Sequence, residues 1–425
     1  GHAYGRGGVG AVMGSKNLKA IVARGAHKPA IAEDAALEFV DYEARKWLQA
    51  SPRTSQGLPE FGTPVLVNLM NRYGVLPTRN FRDGEFEAAE AISGERLREE
   101  FTSRRSACWS CPIGCKRRTH TSGEAGVGPE YETIFALGSN LGISDFEAVI
   151  EANYQCNRLG MDTISVGVTL SCAMELAEHG LLETELRFGQ ADALRRVIED
   201  MAYRRGLGDA LAEGSRRLAQ RCGAPELAMQ VKGLELPGYD PRGMQGQGLL
   251  YATSNRGACH LRGNMLGPEL LGVPKMLDRF EPSAKAGLEI VLQHTHAVID
   301  SIGLCKFSSF AIGDEFFARM LSAATGVHYT VQDLQLAGER IWNLERLYNL
   351  RAGFTRADDT LPRRFLQEPQ ARGASKGHVV HLDGMLEEYY RFRGWTHDGV
   401  PTPRKLEALG LQELATRFQE QLSHA

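Results

Sequence analysis

Apolar residues recurring at i, i+3 and i+4 dominate the chain, and that spacing predicts amphipathic helices. It is present over Ala35–Trp47, Pro64–Tyr73 and Gly94–Phe101. Ser144-Asp145-Phe146-Glu147 reads as a capping box, with Ser at the cap and Glu three residues on, launching a helix to about Leu159. The next helix is expected over Thr163–Glu178, with Gly180 as its C-terminal stop. Others are expected near Ala191–Arg205 and Asp209–Cys222, then over Ala284–Ile302 and from Thr330 to Leu350. Alternation with period two is scarce. Leu18–Ala23, closed by Gly25, is the one short strand expected. Arg363–His381 lacks apolar periodicity and is expected to wrap the surface. The reading is therefore of a mainly α chain.

The Gly- and Pro-rich stretch Leu234–Gly248 marks a boundary, and the chemistry of the sequence changes near Pro29. Three parts are expected: residues 1–28, residues 29–232 and residues 233–425. A chain of 425 residues, 43% of them hydrophobic, can bury more than one core. Its net charge of −3 gives no basic footprint for nucleic acid. No apolar run reaches about 18 residues, so no membrane span is expected. A signal-peptide pattern is missing too, and a cytoplasmic protein is expected. The first residue is Gly1, and motif-like sequence begins by Gly5; part of any site is expected to lie outside this sequence.

Eight cysteines in such a chain suit metal or redox chemistry better than disulfides. Cys108-Trp109-Ser110-Cys111-Pro112-Ile113-Gly114-Cys115 sets three thiols on one tight loop. Thiolates so spaced can hold three corners of an iron–sulfur cubane. A c-type haem needs His where Pro112 stands, and a zinc site usually needs a second knuckle. A fourth thiolate must come from elsewhere. Cys305, after a helix and Gly303, is the candidate. Cys156, Cys172 and Cys222 fall on helical faces and read as buried small hydrophobes. Cys259 stays open, because it adjoins His260.

Gly5-Arg6-Gly7-Gly8-Val9-Gly10 fits the spacing of a dinucleotide fingerprint, but no acid follows about 20 residues on, and the fingerprint is rejected. What remains is a loop whose backbone amides can approach a bulky anion, with Arg6, Lys16 and Lys19 adding positive charge. A plain tight turn is the competing reading of this loop taken alone.

The loop does not stand alone. Gly5–Ile21 resembles a signature of the aldehyde:ferredoxin oxidoreductase family. So do Cys108–Cys115, Gly128-Pro129-Glu130-Tyr131-Glu132, Leu159–Ser165, Leu236–Gly243, Ser254–Arg262 and Asp300–Cys305. Asp358–Pro362 and Arg393–Thr396 continue the series, in family order along nearly the whole chain. The resemblance implies two multihelical domains after a remnant of an N-terminal β-rich pterin-binding domain. It implies a tungsten bis-pyranopterin beside a [4Fe–4S] cluster, with magnesium as a further candidate ion. Cys108, Cys111, Cys115 and Cys305 would ligate the cluster. Asp162 and Thr163 would hold one pterin, Asp300 and Leu304 the other, with Arg262 nearby and Arg6, Gly7 and Gly8 lining the phosphate side. Glu132 and His260 would transfer protons. Only the family register prefers Glu132 to Glu130, and a lone histidine is more often structural, as His294 and His296 are expected to be. The family's pattern Asp-x-x-Gly-Leu-Asp reads Asn157–Asp162 here, so one carboxylate is replaced by an amide. Glu151 matches one residue of an inter-subunit metal site, but Arg195 stands near the register of its histidine partner, and no interface iron is expected.

The implied activity is oxidation of a small aldehyde to the carboxylic acid, with ferredoxin as electron acceptor and a homodimer as one assembly the family uses. The sequence taken by itself, lacking one wall of the site, is expected to be inactive. The alternatives are a tungsten reductase subunit acting on an aromatic acyl thioester, and a cluster-binding electron-transfer module without its own catalysis.

Overall fold

The computed structural model describes residues 5–414 and 416, and they are mainly α-helical. They divide into two compact units. The first takes the described residues up to Ala30, Pro52–Asp240 and Gln370–Gly377; the second takes Ile31–Ser51, Pro241–Pro369 and the described residues from His378.

In the first unit the helix Thr163–Glu178 is apolar on all sides and buried at nearly every position from Ile164 to Leu176, which makes it the unit's axis. Asp162 starts it, its carboxylate accepting the Ser165 amide at 2.9 Å. The helix Tyr131–Leu137 packs across it at Gly167, where an added Cβ would lie 2.2 Å from the Ala136 carbonyl oxygen. Only glycine permits that approach. The preceding helix, Phe146–Leu159, is capped by Asp145, whose side chain accepts the Ala148 amide at 3.1 Å. The expected Ser144 box is corrected here: Glu147 turns away and accepts the amide of Ser122 instead.

A three-stranded antiparallel sheet was not expected. β1 (Thr102–Ser106), β2 (Lys116–His120) and β3 (Ala125–Val127) pair in that order. The strands are short, and β1 and β2 are rich in charged residues, so no alternation announces them. The cysteine loop is the connection between β1 and β2. A second correction concerns Leu18–Ala23, which is irregular and largely exposed, with Val22 92% accessible. A strand needs a ladder partner, and among the described residues none pairs with it. Instead a short helix, Val9–Ser15, forms within the glycine-rich segment.

In the second unit the helix Lys285–Ile302 lies along Val331–Arg351, the latter opened by a capping box at Thr330 and Asp333. The helix Asp34–Ala50 belongs here because Ala44 joins Val298, Ile299, Phe317 and Leu334 in one apolar cluster. Arg363–His381 is not a surface wrap. Phe365, Gln370, Ser375 and Val380 are buried, and Gln370 donates to Asp240 at 2.7 Å. No single described helix is long and apolar enough to cross a membrane.

Candidate active site

Four segments of the first unit meet around Glu132. The start of the helix Tyr131–Leu137 carries it; Asp162 and Thr163 come from the turn into the axial helix; Arg6 comes from the glycine segment; Gly238 and Tyr239 come from the end of the unit. Arg6 Nε lies 2.8 Å from Asp162 Oδ2, and Arg6 Nη2 donates to the Glu235 carbonyl at 2.8 Å. Gly5 makes this approach feasible, since a Cβ there would fall 2.7 Å from the Asp162 Cα. Gly7 and Gly8 hold φ of +83° and +77°, with open space where a Cβ would point. Thr163 Oγ1 hydrogen-bonds Thr133 Oγ1 at 2.8 Å.

The Glu132 carboxyl is enclosed although the residue keeps some exposure. Burial pushes it up to about 7; the Gly238 amide, Arg6 and the Tyr239 hydroxyl pull the other way, while Asp162 adds to the rise. The Gly238 amide donates to Glu132 Oε2 at 2.9 Å. Such a carboxyl can both give and take a proton near neutrality. Glu130 has a different environment. Its Oε2 accepts the Thr63 hydroxyl at 2.5 Å and it faces Arg117 and Lys116. Tyr239 is the residue that sequence reasoning missed. It lay in the motif Leu236–Gly243, but a tyrosine 107 positions from a glutamate gives no local sign of contact. It stacks on Tyr131 with ring centroids 5.2 Å apart. Asn157 turns back along its own helix to Asn153 at 3.0 Å, and Glu151 pairs with Arg195 at 2.9 Å.

The cysteine loop spans from β1 to β2. Cys108 is exposed and Cys111 and Cys115 are half-buried. A turn closed by Cys111 N–H to Cys108 O at 3.2 Å, with Ser110 and Gly114 at positive φ, folds the loop back on itself. Arg117 fixes its far end, donating to the carbonyls of Cys115, Leu58 and Pro59. Among the described residues, however, no group of three or more His, Cys, Asp or Glu side chains forms a metal site. Metal binding and local folding are coupled, and such loops commonly close on the metal.

In the second unit the segment 254–266 follows the helix Gln245–Thr253. Asn349 Nδ2 donates to the Asn255 carbonyl at 2.6 Å, and His296 Nδ1 meets the Leu261 carbonyl at 3.1 Å. His260 is half-buried on this segment, and Cys259 is buried, its sulfur accepting the Leu261 amide at 3.4 Å. Arg262 reaches Asp300 at 3.1 Å, pairs with Glu345 and lies over the Trp342 ring. Lys306 also meets Asp300, at 2.7 Å. Arg262, Asp300, Leu304 and Cys305 thus share one neighbourhood in the chain's second unit. His294 and His296 are held low, to about 3 and about 4, chiefly by burial. They are neutral structural groups at ordinary pH.

A family profile described as aldehyde ferredoxin oxidoreductase, domains 2 and 3, matches residues 40–411. The tungsten-containing aldehyde ferredoxin oxidoreductase of Pyrococcus furiosus is 49% identical over 422 residues, covering 97% of this chain and 70% of its own length. That of Thermococcus kodakarensis gives the same identity and coverage. A WOR-like subunit of an aliphatic sulfonate oxidoreductase from Pyrococcus furiosus is 28% identical over 97% of this chain and 67% of its own. Among solved structures, the active-site complex of benzoyl coenzyme A reductase with 1,5-dienoyl-CoA shares the fold. Its TM-score is 0.79 at 21% identity, covering 98% of this chain and 71% of that one. With a family profile spanning most of its length and relatives identical at nearly half of their aligned positions, this chain belongs to the aldehyde ferredoxin oxidoreductase family of oxidoreductases.

Proposed function

We propose that the protein oxidises aldehydes to carboxylic acids at a tungsten bis-pterin centre, with electrons leaving singly through a [4Fe–4S] cluster to ferredoxin. The observation that carries this reading is the Glu132 carboxyl, enclosed, raised to about 7 and placed among Arg6, Asp162 and Tyr239. The overall change is aldehyde plus water to carboxylate, three protons and two electrons, so a group that takes protons near neutral pH is required.

The donor chemistry suits the cofactor. Asp162 and Thr163 offer acceptors for pterin N–H groups, Arg6 offers a guanidinium for phosphate, and the open left-handed backbone at Gly7 and Gly8 leaves room for a bulky anion. In the second unit, Asp300, Arg262 and Leu304 form the corresponding set for the other pterin. When bound, the tungsten centre supplies Lewis acidity and accepts the electron pair. Cys108, Cys111, Cys115 and Cys305 supply thiolates for the cluster. Glu132 accepts a proton from the water or its adduct, and His260 is the second proton-transfer group.

Identity of 49% with tungsten-containing aldehyde enzymes favours the aldehyde over an acyl thioester, for which only a fold likeness at 21% speaks. The test is metal analysis and an aldehyde panel with viologen as acceptor, on the complete protein prepared without oxygen. Tungsten and iron with aldehyde-dependent viologen reduction are expected. Tungsten present, aldehydes inert and an aromatic acyl thioester reduced would overturn the reading.

A further inference from the structure

We infer that the basic hairpin carrying the cysteine loop is the docking surface for the electron carrier, and that it selects a small acidic iron–sulfur protein. This deepens the functional reading and rests on its placing of a cluster in the Cys108–Cys115 loop. Electron hand-over falls steeply with distance, so a carrier must approach that loop.

The sheet itself points to the charge of the visitor. Its register sets Arg104 opposite Arg118, Arg105 opposite Arg117, and Lys116 opposite Ser106. Like charges directly opposed across strands are destabilising. Arg117 is accounted for, being buried and bonded to three carbonyls. Arg104, Arg105 and Arg118 are exposed, and among the described residues none of their side chains has an acidic partner. Glu60 pairs with Arg98, Glu100 with Arg96 and Glu124 with Arg158. The patch is local, since the whole chain carries a net charge of −3.

At the tip of the same hairpin, between Cys108 and Cys111, the Trp109 side chain is 97% accessible. A fully exposed indole on a hairpin whose strands carry exposed arginines has the composition of an interface anchor, because Trp and Arg dominate binding hot spots. The cations steer the encounter and Trp109 seats it. Each docking passes one electron, so two encounters follow every aldehyde oxidised.

The test uses the complete enzyme carrying Arg104→Glu with Arg105→Glu, neither of which belongs to the proposed machinery. Aldehyde oxidation is followed with viologen and, separately, with a purified acidic ferredoxin. At about 20 mM salt the KM for ferredoxin should rise ~10-fold or more, and the gap to wild type should close by about 0.5 M salt. Viologen-linked turnover and iron content should stay within about twofold. Unchanged ferredoxin kinetics with intact viologen turnover overturns the proposal. So does salt-sensitive binding of a duplex oligonucleotide that the variant loses while its ferredoxin kinetics stay wild type.

If the wild type oxidises no aldehyde, the functional reading fails by itself. Titrating ferredoxin against wild type and variant at low salt then still decides docking, a loss of affinity of ~10-fold supporting it and equal affinities refuting it. Should charge reversal cost iron, Arg104→Gln with Arg105→Gln takes its place, with an expected weakening of about threefold.

Discussion

Glu132 in the first unit and Glu289 in the second are both carboxyls raised by burial, to about 7 and about 8. Their surroundings separate them. Glu289 is fully buried on the helix Lys285–Ile302, under Gly263, where an added Cβ would stand 2.7 Å from its Oε1. Gln293 and Arg393 temper its rise, and Glu269 adds to it. Glu132 keeps some exposure and draws its neighbours from three other chain segments. Desolvation alone therefore raises a carboxyl anywhere in a core. A convergent set of donors from distant segments is what marks one carboxyl as a proton-transfer group.

The sharpest way to break this comparison is to neutralise each acid in turn. Glu132→Gln should lower kcat by about 10²–10⁴ with tungsten and iron content unchanged, whereas Glu289→Gln should leave kcat within about twofold. Equal losses, measured as viologen-linked turnover per bound tungsten, would mean that Glu132's setting is not special. The pH profile sharpens the same point. Glu132 acts as a base in its carboxylate form, which predominates above about 7, so kcat should climb through that pH and level off beyond it. Glu132→Gln should erase that limb.

Local patterns fixed some of this architecture and were silent on the rest. The helix Thr163–Glu178 was readable because Asp162 caps it and apolar residues fill it, and Val331–Arg351 because Thr330 announces it. The cap at Asp145 was misplaced by one residue, since two neighbouring side chains offer similar oxygens and only packing chooses. The strands around the cysteine loop carry Thr-Ser-Arg-Arg-Ser and Lys-Arg-Arg-Thr-His, in which no buried face can be discerned. Leu18–Ala23 has strand chemistry without a partner among the described residues. Around Glu132, the ion pair of Arg6 with Asp162 joins residues 156 apart and the bond from Gly238 joins residues 106 apart. Contacts of that range are set by the whole fold, so a motif can nominate its members but not say that Tyr239 completes them.

Stability should separate the two acids in the opposite order. Glu289 holds its proton when folded up to about 8, while an unfolded glutamate releases it near 4.5. Between those values the folded state binds more protons, so stability falls as pH rises, by up to about 1.4 kcal/mol per pH unit. His294 and His296, neutral when folded, push the other way, but only below 6.5. From pH 6.5 to 8, therefore, Glu289→Gln should unfold with a flatter pH dependence than wild type in denaturant titrations. An unchanged slope would mean that Glu289 is not protonated in the folded protein.

The smallest effect belongs to Tyr239. Its hydroxyl donates to Glu132 and favours the carboxylate, the weakest of the influences on that group. Burial and the neighbouring Glu132 hold the tyrosine's own ionisation well above its ordinary range, so it remains a donor throughout the working pH. Tyr239→Phe keeps the ring that stacks on Tyr131 and removes only the donor. A neutral hydrogen bond contributes about 0.5–1.5 kcal/mol net, and a pKa unit corresponds to about 1.4 kcal/mol. The rising limb of kcat should accordingly move up by about half a unit to one unit, with the plateau rate above it preserved. A limb that stays in place would show that the hydroxyl bonds elsewhere in the working enzyme. A limb that moves down would show that it favours the protonated acid, reversing the role assigned to it and narrowing the difference between Glu132 and Glu289 to burial alone.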